Sequence, residues 1–222
     1  YGSICVDCSS ITYHICKLSY TIYEDDSFEY VFEPNYFVID LLSPSVFQGI
    51  PGLNLDRREN KYVRKNIIPV FISERVPQKN REDLYELLDE VNMDYLNPIL
   101  YLLRTKKRYG GDKLYLNPIH PFEIVDIDNL KNKNNVFGLT KVMLDCLAAG
   151  DNVVYNSTLI DNTNRKQFFN VLLGLYSKHL LSRKDNYYKG VEKAKKEKKY
   201  RGRKPIAVDT LLFEDCLEKI NQ

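Results

Sequence analysis

Tryptophan is absent from this 222-residue chain, and methionine and histidine are scarce, at two and three copies. Three imidazoles leave little for acid–base or multi-histidine metal chemistry. The five cysteines follow no regular spacing, which argues against a disulfide framework and for reduced thiols in a cytoplasm. No apolar run approaches the ~18 residues of a transmembrane helix, and the opening YGSICVDCSS lacks the basic and apolar regions of a signal peptide. A phosphate-cradling GxxxxGK[ST] loop is also missing, which argues against a P-loop kinase, and no cofactor is expected.

What the chain does have is enough apolar material, 44%, for one sizeable core or two small ones. It also has a very uneven charge distribution. From Lys178 to Lys204 twelve Lys/Arg face three acids, a net +9, which leaves 20 bases and 27 acids, a net −7, for the remainder. The overall +2 hides this polarity.

The basic segment begins inside a helical pattern. Phe169, Leu172, Leu173, Tyr176, Leu180, Tyr187, Val191 and Ala194 recur at steps of three, four and seven, along one stripe. Thr163 or Asn164 can cap its start, and Gly202 and Pro205 end it. From Arg165 to Tyr200 such a helix is about 54 Å long at ~1.5 Å per residue, against about 44 Å for the diameter of a compact globule of this length. Its basic end is therefore expected to project. Arg201-Gly202-Arg203-Lys204-Pro205 places two arginines in a segment held extended before proline, a shape suited to an A·T-rich minor groove. The expected duplex contacts are Lys184, Lys189, Lys193, Lys196, Lys199, Tyr200, Arg201, Gly202, Arg203 and Lys204.

Upstream, residues 4–42 read as strands, through ICVDC, YHICKLSYTIY and SFEYVFEPNYFVIDLL, giving a small antiparallel sheet. Ser43 to Asn66 reads as a long loop or short helical turns, broken by Pro44, Gly49, Pro51 and Gly52. Leu84, Leu87, Leu88 and Val91 mark a helix; Asn97-Pro98 starts another, closed by Gly110-Gly111, before the strand KLYL. HPFEIVDIDNLKNKNN, to Asn135, is the expected junction. Beyond it, helical spacing from Gly138 to Leu147 leads to the strand Asn152 to Tyr155 and then to the long helix.

Cys5, Cys8, His14 and Cys16 supply zinc-ligand types within twelve residues. They fall on strands, where positions three apart point to opposite faces, so buried thiols are expected and no metal. His179 is expected to contact a phosphate or a second copy rather than act as a base.

Two resemblances cover the chain. Phe28-Glu29-Tyr30, SPSVFQGIPGL, Ile68-Pro69-Val70-Phe71, Arg75-Val76-Pro77, Arg81-Glu82-Asp83 and the run from Tyr109 to Leu116 together resemble the N-terminal subdomain of HipA-type toxin kinases. That subdomain also occurs as a separate antitoxin, and the kinase core is missing here, so the resemblance implies an interaction module with a toxin or kinase partner. LTKVMLDCLAAGDNVVYNS, IDNTNRKQFFNVLLGLYSKHLLSR and KGVEKAKKEKKYRGRKPI are similar to the late catalytic domain, long helix and arm of resolvase/invertase serine recombinases. This implies a homodimer through Phe169, Leu172, Leu173, Tyr176 and Leu180, and an arm that enters DNA. The family's nucleophilic serine strand has no counterpart before residue 136, and NSTLIDNTNR replaces its arginine-rich run. Only Arg165 and Arg183 remain as candidates for a positive clamp, so no catalytic residue is assigned.

The expectation is an α+β protein in which an antiparallel sheet with helices precedes an α/β segment ending in a projecting helix. Residues 1–118 form the HipA-like module, 119–135 a linker, 136–205 the recombinase-like domain, and 206–222 a C-terminal helix. Its expected role is non-catalytic DNA binding in a mobile element or toxin–antitoxin system; a protein-binding antitoxin acting through 1–118 is the alternative, and an active recombinase is less favoured.

Overall fold

The computed structural model describes residues 1–129, 135–197 and 199. The chain is α+β. Strands β1 (Gly2–Cys8), β2 (Ile11–Ile22), β3 (Phe28–Pro34), β4 (Tyr62–Lys65) and β5 (Tyr115–Asn117) form an antiparallel sheet in the order β4-β3-β2-β1-β5. Ser9 and Ser10, at φ 52° and 65°, make the tight connection between β1 and β2. An irregularity at Ile4/Cys5 shifts the register of this pair, so that Ile4 faces Cys16 but Cys5 faces His14. Ile15 lies between the two, and Ile15 and Cys16 are both buried.

Helix α1 (Tyr36–Ile39) replaces the last part of the expected third strand. Pro34 ends β3, and the Asn35 side chain accepts from the Val38 N–H, so a run that is apolar throughout turns helical. The expected loop from Ser43 to Asn66 contains a short helical turn at Leu55–Arg57, but its charged tail is the edge strand β4. Val31 pairs with Val63, and the Asn66 side chain accepts from the Phe28 N–H. Helices α2 (Val70–Ser73), α3 (Leu84–Asp89) and α4 (Pro98–Thr105) follow. The Asn97 side chain caps α4 through the Leu100 N–H, with Pro98 in its first turn. The helix closes earlier than Gly110-Gly111: Lys106, at φ 47°, donates its N–H to Leu102 O.

Within 119–135 lies β6 (Ile124–Asp126), which pairs in parallel with β7 (Asn152–Tyr155). Between these strands runs α5 (Val136–Ala149), capped by the Asn135 side chain on the Gly138 N–H and ended by Gly150 at φ 97°. Strand β8 (Thr158–Ile160) then pairs with β7 through a turn at Asn156 and Ser157, both with positive φ. The apolar face of α5 rests on β2, and Tyr13 of β2 meets Phe169 edge-on at 5.8 Å. A single buried cluster therefore includes Ile4 and Phe32 from the first sheet and Met143, Leu147 and Val153 from beyond residue 135. Residues 1–176 make one compact unit and residues from Ser177 onward a second, the division falling within α6 (Arg165–Lys196). Among the described residues no helix is long and apolar enough to cross a membrane.

Candidate nucleic-acid interface

α6 is helical for 32 residues, about 48 Å at ~1.5 Å per residue. Every residue from Ser177 to Gly190 is exposed, and among the described residues beyond it Val191 and Ala194 are half-buried. At ~100° per residue Lys178, Lys189, Lys193 and Lys196 fall within an arc of about 60°. Leu180, Tyr187, Val191 and Ala194 share another arc, well round the helix. Lys184 lies outside the lysine stripe. This row brings four like charges together, which a line of phosphates would neutralise, while Arg183, Lys184 and Lys195 lie elsewhere around the helix and Asp185 borders the row. Lys193 Nζ stands 3.9 Å from Glu197, and Lys199 Nζ is 2.8 Å from the same carboxylate. Tyr200, Arg201, Gly202, Arg203, Lys204 and the helix expected over 206–222 lie outside the described residues.

The five residues expected at a dimer interface are not all on the surface. Phe169 is fully buried against Tyr13, and Tyr176 is buried and stacked on Phe137 at 4.8 Å. Both pack into the core of the chain itself. Leu172 and Leu173 are half-buried, and Leu180 is exposed. Asn164 stands at the start of α6, its carbonyl accepting from the Phe168 N–H, but neither its side chain nor that of Thr163 is shown capping the helix. The Thr163 N–H and hydroxyl both donate to the Asp161 carboxylate, and the Asn164 side chain accepts from the Asp161 N–H.

The two arginines weighed as a phosphoryl clamp have different surroundings. Arg183 is on the exposed part of α6. Arg165 is 1% exposed, and its guanidinium donates to the carbonyls of Leu147, Gly150 and Asp151 at 2.7–3.0 Å and to the Asn152 and Asn162 side chains. Burial lowers its pKa, opposed by the carboxylates of Asp151 and Asp161. It ties the C-terminal end of α5 to the start of α6, and its donors are already occupied.

A second polar cluster sits in the first unit. His14 Nδ1 is 3.1 Å from Ser3 Oγ, His120 Nε2 is 2.8 Å from Asp151 Oδ2, and the two rings lie 5.4 Å apart. Asp151 is 2% exposed, and its other oxygen accepts from the Glu123 N–H. Burial, with the neighbouring His120, pushes the pKa of His14 down. The pair borders a cleft of about 630 Å³ into which Lys17, Arg58 and Phe122 also face. Sequence reasoning missed this pairing, because His14 and His120 belong to segments more than a hundred residues apart and no local motif joins them. Of the zinc-ligand types, Cys5 and Cys16 are buried, and burial pushes Cys5 up to about 12 and raises Cys16 as well. Such thiols stay protonated. Among the described residues no three His, Cys, Asp or Glu are grouped so as to hold a metal ion.

No protein-family model, curated protein or solved structure matches this chain.

Proposed function

We propose that this chain binds double-stranded DNA through the second half of α6, as a regulatory or accessory factor acting in the cytoplasm rather than as a strand-cutting enzyme. The observation that carries the reading is the row of Lys178, Lys189, Lys193 and Lys196 along one side of a helix whose residues from 177 to 190 are all exposed. In the sequence, Arg201 and Arg203 add to the same positive charge. The accessory role draws on Arg165, whose donors are occupied by backbone carbonyls and by the Asn152 and Asn162 side chains. A homodimer belongs to the same reading. Its surface on α6 is the stripe of Leu180, Tyr187, Val191 and Ala194. A mobile-element or toxin–antitoxin setting follows from the two sequence resemblances.

Binding of a labelled A·T-rich duplex, measured across a salt series, tests this. The wild-type chain is expected to show a steep fall of affinity with salt. Lys189→Ala/Lys193→Ala/Lys196→Ala is expected to lower the log–log slope by about three. No binding at low salt, or an unchanged slope, sinks the proposal.

The alternative is a protein-binding module working through residues 1–118. Its support is the exposed apolar group Val63, Ile67, Ile68 and Val70 beside the edge strand β4. Capture of a protein partner that survives the triple lysine substitution, together with failure to bind DNA, favours it.

A further inference from the structure

Two uncharged residues, Ser182 and Asn186, share the face of the lysine row. Ser182, Asn186, Lys189, Lys193 and Lys196 stand at successive steps of four, three, four and three, within an arc of about 80° on α6 at ~100° per residue. All five are exposed. Asn186 is the one Asn or Gln between Ser177 and Glu197, so a single amide lies in line with the lysines.

We propose that Asn186 reads an adenine in the major groove and that the lysines on its side of α6 hold the phosphates that bound that groove. The proposal rests on the DNA-binding reading and adds the base it recognises. Lysine ammonium groups carry donors only and grip phosphate as point charges. An asparagine amide presents one acceptor and one donor edge, which match adenine N6 and N7 together. Only the major groove, about 12 Å wide, admits a helix to that depth. At ~1.5 Å per residue Lys178 lies about 12 Å before Asn186, and Lys193 about 10.5 Å after it, a span longer than the groove is wide, so α6 lies along the groove. With the amide over the groove floor, the lysines before and after it reach along the groove to the phosphates of its rims. Backbone contacts of this kind fix register, and the amide then supplies sequence information.

Site selection from a randomised duplex library, with wild type and Asn186→Ala, tests the inference. The wild-type chain is expected to select adenine at one position, with about tenfold discrimination against other bases. Asn186→Ala is expected to lose that preference while keeping the salt slope, because no phosphate contact is removed. Placing 7-deaza-adenine at the selected position deletes the N7 acceptor. It should weaken wild type by a similar factor and leave Asn186→Ala unaffected. If wild type binds with a lysine-dependent slope but Asn186→Ala selects the same sites, or 7-deaza-adenine weakens both proteins equally, the adenine contact is wrong and DNA binding stands. If wild type does not bind at low salt, both fall.

Discussion

Arg165 shows how much one side chain can organise. Its guanidinium donates to the Gly150 and Asp151 carbonyls just past α5 and shares the Leu147 carbonyl with the Gly150 N–H, and it is almost without exposure. Truncating it strands several buried acceptors at once. Arg165→Ala is therefore expected to lower unfolding free energy by at least about 3 kcal/mol in denaturant titration. Arg165→Lys should recover only part, since an ammonium cannot span the same acceptors. His14 carries a different kind of prediction. Burial and His120 hold its pKa below the ordinary value in the folded chain, so the folded state binds fewer protons there than the unfolded chain does. Stability from this group is thus full above about pH 6.5 and is lost as pH falls through the lowered folded value. Thermal melts should show Tm falling from about pH 7 to about pH 5, and His14→Gln should flatten that fall. An unaltered profile in the variant would remove His14 from the account. Little of this was legible in the sequence. Arg165 stood out as a possible clamp because of its type, yet its role follows from carbonyls that only the fold gathers around it.

At the scale of elements, periodicity was informative where a segment was long. The three-and-four spacing from Phe169 to Ala194 specified α6 but not its end, since the helix stops at Lys196, short of the expected Tyr200, and Asn97-Pro98 marked the start of α4. Short segments were harder to read. NYFVIDLL is apolar at nearly every position, so strand and helix patterns fit it equally, and the break came from Pro34 and the Asn35 cap. KYVRK hid an edge strand because Tyr62 alone is buried, leaving a tail that looked merely charged. Strand β8 was masked in the same way by the polar residues around Thr158. The long helix makes its own prediction. Gly174 and Gly190 lie in its interior, and a methyl group added at either would meet nothing within 4 Å. Gly190→Ala should then stabilise the helix locally by about 1 kcal/mol, seen as slower hydrogen exchange of nearby amides. Faster or unchanged exchange would contradict a continuous helix through that position.

Across the whole molecule, charge and packing are divided differently. The net +9 between Lys178 and Lys204 and the net −7 elsewhere were visible from residue counts alone. The continuity of the core was not. Residues 119–135 read as a junction because they are polar and rich in Asn and Lys, yet Ile127 is buried and β6 joins a sheet there. The pairing of β1 with β5 was equally hidden, since Ser3 and Asn117 are joined only by the finished sheet. That pairing has a consequence during synthesis. Strand β1 emerges from the ribosome long before β5, and Ser3, Ile4 and Cys5 must wait, with one edge of β1 unfilled, until Tyr115, Leu116 and Asn117 follow. Early fragments of this chain carry a ready template for unwanted strand addition. Translation past β5 is what retires it.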